Sequence, residues 1–137
     1  MAFIGHTICV YEHKRISEEE HTMVDIFKAL ADETRLRMLA LICDDEMCVC
    51  EIEKSLNLTQ SNASRHLTVL KNAEILSSFK KAQWTYYRIN EKFKSDNNFL
   101  WEYLQHKLKS TTKYQEESDK CKVCKEQNLC NNKRDSY

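Results

Sequence analysis

Apolar residues recur at helical spacing along most of the chain, and the period changes once. Met23, Ile26, Phe27 and Leu30 share one face of a helix, and Ser17-Glu18-Glu19-Glu20 ahead of them fits the S/T-x-x-E capping box. Asp32 is a good N-cap for a second helix with Leu36, Leu39, Ala40 and Cys43 on one side, and Asp44-Asp45-Glu46 breaks it. A short third helix, from about Val49 to Leu56, has Ile52 and Leu56 spaced i, i+4. Asn57-Leu58-Thr59 reads as a tight polar turn; Thr59 or Ser61 then caps a helix with Ala63, Leu67, Leu70 and Ala73 facing inward. Ile75 to Lys81 and Trp84 to Ile89 are rich in aromatic and β-branched residues and predict a two-stranded hairpin. The link Ala82-Gln83 lacks an Asn-Gly or Gly signal, so a turn longer than two residues is expected. A last helix is expected from about Glu91 to Lys109, with Leu100, Leu104 and Leu108 in register.

Helix, helix, turn, helix, hairpin is the order of a winged helix-turn-helix: mostly α with a small β-hairpin. The expected divisions are an N-terminal arm (1–16), a winged helix-turn-helix DNA-binding and dimerisation domain (17–109), and a polar, mobile, Cys-containing tail (110–137). Phe93, Phe99, Trp101 and Tyr103 add more apolar surface than a lone terminal helix can bury on so small a body. A partner subunit is therefore expected, in a homodimer joined through the first and last helices.

Composition narrows the chemistry. The 137 residues contain one glycine, Gly5, and no proline. Many-stranded sandwiches and barrels need glycine at turns and bulges, so they are disfavoured, and no Gly-rich phosphate loop can be drawn. No run approaches the roughly 20 apolar residues of a membrane helix. The N-terminus has no basic n-region and is broken by Gly5 and His6, so a cytoplasmic protein with no membrane partner is expected. In that reducing compartment seven cysteines point to metal binding or thiol chemistry rather than to structural disulfides.

The zero net charge conceals a segregation. Glu12 to Glu53 holds 12 acidic and 5 basic residues, whereas Thr59 to Asn90 holds Arg65, Lys71, Lys80, Lys81 and Arg88 against Glu74 alone. The basic block coincides with the turn-following helix and the hairpin, a candidate surface for double-stranded DNA. Gln60 and Asn62 suit bidentate reading of adenine, Arg65 suits guanine or phosphate, and Ser61 and Ser64 suit either base or backbone. Lys80, Lys81, Gln83 and Arg88 are candidate backbone clamps on the wing. His66 either contacts phosphate or packs within the motif.

Cys48-Val49-Cys50 opens the short third helix. Residues i and i+2 diverge on a regular helix, so an ion held by both must distort that helix end, directly upstream of the DNA-reading segment. Cys9 in the arm is the candidate third ligand. Three thiolates suit As(III) or Sb(III), and four suit Cd(II), Pb(II) or Zn(II). Cys43 reads as core. In the tail, Cys121, Cys124 and Cys130 form C-x2-C-x5-C, open to four readings: a second metal site, an ion-capturing tail, a redox pair or no function.

Taken together, Phe27-Lys28-Ala29-Leu30-Ala31-Asp32-Glu33-Thr34-Arg35-Leu36-Arg37, Glu46-Met47-Cys48-Val49-Cys50-Glu51-Ile52, Ser61-Asn62-Ala63-Ser64-Arg65-His66-Leu67 and Trp84-Thr85-Tyr86-Tyr87-Arg88-Ile89 resemble the ArsR/SmtB family of metal- and metalloid-responsive repressors. The resemblance covers about residues 23–108. It implies a homodimeric winged-helix repressor that releases operator DNA when an ion binds, with Cys48 and Cys50 as the family's Cys-Val-Cys box. Arsenic sensors with a helix-confined site carry a third cysteine three residues on, where this chain has Glu53. The arm around Cys9 resembles that of the cadmium/lead-sensing CadC branch, which gives thiolates to the partner subunit, but Gly5 stands where that branch has a second cysteine. Glu91 and Phe93 replace the Asp and His of the site some members build in the last helix, and Glu74 replaces a helix-ending glycine. The expectation is release by arsenite or antimonite, with cadmium, lead or zinc, or thiol oxidation, as alternatives. An enzyme is not expected, because a catalytic thiol needs a rigid, tuned setting and Cys121-x-x-Cys124 lies in a charged tail.

Overall fold

The computed structural model describes residues 23–126. The capping box at Ser17, the arm with Cys9, and Cys130 lie outside the described residues. The elements run α1 (residues 23–30), α2 (Glu33–Ile42), β1 (Met47–Cys48), α3 (Val49–Leu56), α4 (Gln60–Asn72), β2 (Leu76–Lys81), β3 (Trp84–Ile89), α5 (Glu91–Asp96), α6 (Asn98–Ser110) and α7 (Thr112–Glu126). Among the described residues no helix is long and apolar enough to cross a membrane.

Local chemistry accounts for most boundaries. Asp32 caps α2 by accepting from the Arg35 backbone N–H at 3.0 Å. Thr59 caps α4, its hydroxyl accepting from the Asn62 N–H at 3.3 Å. Asn57 ends α3 in the left-handed conformation (φ 54°), which asparagine tolerates, and the Leu58 N–H closes onto the Glu53 carbonyl at 2.9 Å. The inward positions expected of α4 are buried: Ala63, Leu67 and Leu70 completely, Ala73 nearly so. With Met38, Leu39, Met47, Ile52, Ile75 and Leu76 they form one core beneath α2, α3 and the sheet. Each large side chain sealed there contributes roughly 1.5–3 kcal/mol of transfer free energy.

Five features depart from the expected pattern. The sheet has a third strand: β1 pairs antiparallel with β3, Met47 opposite Tyr87 and Cys48 opposite Tyr86, giving the order β1-β3-β2. The hairpin turn is two residues, not longer; Lys81 pairs with Trp84, and Ala82 takes the left-handed conformation (φ 57°) usually given to glycine. The single last helix is two, α5 and α6, because Asn97 leaves the helical region at φ −128°, ψ 43°. Phe93 and Trp101 are buried against each other edge to face, with ring centroids 6.3 Å apart, leaving Phe99 and Tyr103 as the exposed aromatics of that region.

The expected mobile tail is instead helical from Thr112 to Glu126. After Thr111 the chain reverses, and α7 packs back against α2 and α3. Charge pairs accompany its apolar contacts: Lys113 with Glu33, Arg37 with Glu117, and the Lys125 ammonium with Asp45 Oδ2 at 2.8 Å and the Glu46 carbonyl at 3.0 Å. Cys121 and Ser118 are buried on the face between those pairs.

Candidate nucleic-acid interface and thiol cluster

Helix α4 buries one edge and leaves the other to solvent. Gln60, Ser61, Asn62, Ser64 and Arg65 are all exposed, near the helix N-terminus with its positive dipole end. Arg65 Nη2 donates to Asn62 Oδ1 at 3.1 Å, so two candidate base-reading side chains are coupled on that face. Thr68, one turn on and also exposed, continues the surface; its hydroxyl donates to the Ser64 carbonyl at 2.8 Å. Sequence reasoning passed over Thr68 because one threonine in a helix carries no signal of its own.

His66 turns the other way. Its Nδ1 lies 3.2 Å from Arg35 Nη1 and 3.9 Å from Asp32 Oδ1. Arg35 in turn donates from Nε to the Ala29 carbonyl at 2.6 Å and from Nη2 to the Lys28 carbonyl at 3.0 Å. One guanidinium thus ties the end of α1, the cap of α2 and the flank of α4 into a single joint. Burial works to raise the Asp32 carboxyl, but the Arg35 N–H and the charges of Arg35 and His66 outweigh it and hold the group below its ordinary value. Arg35 had no assigned role at the sequence level, since its partners come from three separate segments.

The wing divides its cations by strand alternation. Lys81 and Arg88 stand on one face with Phe79, Trp84 and Tyr86; Lys80 belongs to the opposite row, which starts at buried Leu76. Phe79 and Tyr86 stack with centroids 5.7 Å apart. The Lys81 ammonium lies 5.8 Å from the Tyr86 ring centre and the Arg88 guanidinium 5.0 Å from that of Phe79. Lys80, Lys81, Gln83 and Arg88 are all exposed, but only Lys81 and Arg88 share the aromatic platform.

The described thiols are spread over the end of α2, β1, the start of α3 and α7. Cys48 is the N-cap residue of α3 and is 1% exposed; its N–H donates to Glu51 Oε2 at 2.9 Å, while its sulfur faces the Glu51 N–H. Burial pushes the Cys48 thiol up, opposed by that N–H. Cys50 is half-buried. On α7, the Cys121 thiol meets Met47 Sδ at 3.8 Å, and burial pushes it up, with the Ser55 hydroxyl and Lys125 opposing. Cys124, one turn on, is half-buried and lines a cleft of about 480 Å³ between α3 and α7 with Lys54, Ser55, Asp119, Lys120 and Val123. Cys43 packs against the core from a half-buried position, receiving a weak 3.9 Å contact from Gln105 Nε2. The soft donors suit a thiophilic ion. Among the described residues, however, no three Cys, His, Asp or Glu side chains stand close enough together to hold one.

Comparison with known proteins bears on both regions. Residues 32–78 match the family described as bacterial regulatory protein, arsR family. The chain is 50% identical over 66 residues to the arsenic resistance transcriptional regulator ArsR1 of Pseudomonas putida, covering 47% of this chain and 52% of ArsR1. It is 39% identical over 94 residues to ArsR2 of the same organism, covering 68% of this chain and 79% of ArsR2. It is 39% identical over 64 residues to the cadmium resistance regulatory protein CadC of Listeria innocua, covering 46% of this chain and 54% of CadC. The chain thus spans about half the length of ArsR1 and CadC. Among solved structures, the homodimeric winged helix-turn-helix DNA-binding domain Mb0332 of Mycobacterium bovis is similar at a TM-score of 0.59 and 26% identity, over 66% of this chain and 82% of that one.

Proposed function

The chain belongs to the arsR family of bacterial regulatory proteins, and on that footing we propose that it is a homodimeric repressor released from its operator by arsenite or antimonite. Helix α4 enters the major groove with Gln60, Ser61, Asn62, Ser64 and Arg65, while Lys81 and Arg88 hold the flanking backbone. Lys80 and Gln83 take the outer edge of the wing. His66 braces α4 from behind. The protein is a regulator and not an enzyme, as its relatives are named.

One observation carries the reading: Cys48 is at once the cap of α3, one turn-and-helix before the DNA-reading face, and the ladder partner of Tyr86 in the wing. An ion that draws Cys48 towards other sulfurs breaks its 2.9 Å bond to Glu51 and its pairing with Tyr86. Both DNA-contacting elements are then disturbed together.

Charge favours a trivalent guest. Arsenite bound by three thiols gives a neutral complex, whereas cadmium, lead or zinc on three or four thiolates leaves a net negative charge. Cys48 is almost wholly buried and Glu51 already lies beside it, so a buried anion there is costly.

The dimer face is supported by Met23, Val24 and Phe27 of α1 and Phe99 and Tyr103 of α6, all exposed. Ile26 of α1 shares a small cavity with Phe93 and Asn97, so α1 lies close to the start of α6.

The test is to load the full chain on DNA from its own promoter and titrate arsenite, antimonite, cadmium, lead, zinc and peroxide in parallel. Release at lowest concentration by arsenite or antimonite is expected. Release by cadmium or lead first, or by peroxide without any ion, overturns this reading of the inducer.

A further inference from the structure

The reading above leaves the Cys48–Cys50 box one sulfur short, and this inference rests on it. We propose that α7 supplies that sulfur, so that Cys121 closes a three-thiol site with Cys48 and Cys50 inside one chain.

Cys121 is buried against the entrance of the box. Its sulfur is 3.8 Å from that of Met47, the residue before Cys48. Glu51, whose carboxylate binds the Cys48 N–H, also acts electrostatically on Cys121, and Ser55, one turn further along α3, hydrogen-bonds to it. Cys121 therefore lies beside α3, between Met47 ahead of the box and Ser55 in the helix's last turn.

The register of α7 is fixed around this thiol. Glu117 lies four residues before Cys121 and Lys125 four after, on the same helix face. Glu117 is gripped by Arg37, and Lys125 by Asp45 and the Glu46 carbonyl. Those last two anchors are in the loop that leads into β1 and Cys48. Ion pairs flank the buried face of this helix, and the group at the centre of that face is a thiol.

The sulfurs are not yet gathered, since Met47 and Cys48 are neighbours on a strand and project to opposite sides. Closing the site turns Cys48 out of the ladder with β3, the same displacement that disturbs the wing. The chemistry balances without a redox step. As(OH)3 and three thiols give As(SR)3 and three waters: three As–S bonds form, three As–O bonds break, each thiol proton leaves with a hydroxide as water, and arsenic stays trivalent.

The bland alternative is that Cys121 is a small apolar filler. X-ray absorption at the arsenic edge, on the full chain with one equivalent of arsenite, separates the two by counting As–S bonds. Wild type, Cys9→Ser and Cys124→Ser are each expected to show three sulfurs. Cys121→Ser and Cys121→Ala are expected to show two sulfurs with an oxygen, and to need roughly tenfold more arsenite, or higher, to leave DNA. The alanine variant keeps the buried face apolar, and hydrogen exchange across α7 checks that it stays docked. Three sulfurs in a docked Cys121→Ala, or loss of one in Cys9→Ser or Cys124→Ser, overturns the proposal. If Cys48→Ser and Cys50→Ser each lose a sulfur while both Cys121 variants keep three, this inference alone fails. If wild type shows no As–S bond, the reading it rests on fails too.

Discussion

Arg37 holds Glu117 by both carboxylate oxygens, with Nε 2.8 Å from Oε1 and 3.1 Å from Oε2 and Nη2 2.5 Å from Oε1. The two residues are 80 apart in sequence, so this fork fixes where the last helix lies against the second. Both side chains are largely shielded, at 21% and 12% exposure, so losing either leaves the other poorly solvated. Glu117→Ala is expected to cost about 2 kcal/mol in urea unfolding and to speed hydrogen exchange throughout Thr112–Glu126. Unchanged exchange there would mean that α7 docks by other means.

The Asp32 cap gives a sign to the acid response. Its carboxyl is held below its ordinary value in the folded chain, so it binds protons more readily when unfolded. Its contribution is complete above the unfolded value of about 3.9 and is lost as pH falls through the lower folded value. Asp32→Asn should therefore flatten part of the stability loss below pH ~4, while Asp32→Ala should cost about 1 kcal/mol at neutral pH. An Asp32→Asn profile parallel to wild type contradicts this.

Among the described residues, two adopt left-handed backbone without being glycine or asparagine: Glu74 at φ 59° and Ala82 at φ 57°. The conformation costs a side-chain-bearing residue about 1–2 kcal/mol, partly offset by the entropy glycine loses on folding. Glu74→Gly and Ala82→Gly should each raise stability by up to about 1 kcal/mol, read as a higher urea midpoint. A lower midpoint would show that the side chain contributes more than the strain costs.

Phe99 is 81% exposed, and nothing among the described residues covers it. Phe99→Glu should leave the protomer folded, give a monomer by light scattering, and weaken operator binding, since two half-sites need two copies. A stable Phe99→Glu dimer would move the interface elsewhere.

Much of the DNA-binding half was legible because its signals are local. The spacing Ala63, Leu67, Leu70 announces the buried edge of α4, and Asp32 and Thr59 announce their helices by hydrogen bonds three residues long. What escaped depends on distant partners. Strand β1 has two residues, too few for a period, and exists because Tyr86 and Tyr87 are there to pair with. The two-residue wing turn hides behind Ala82, which carries no turn signature. Asn97 breaks the last helix without proline or glycine. Helix α7 shows no apolar stripe, since Arg37, Glu33 and Asp45 supply its docking from far upstream. The thiols were visible one by one, but Met47 beside Cys121 is a fact of tertiary packing alone.

The central claim is that sulfur capture at the start of α3 is what frees the DNA. Fluorescence anisotropy of a labelled operator, with Cys48→Ser/Cys50→Ser beside wild type, tests it most directly. Serine is itself a good N-cap, so α3 should persist and affinity without arsenite should match wild type. With saturating arsenite, wild type is expected to dissociate and the double variant to stay bound. Dissociation of both at the same arsenite concentration would contradict the account.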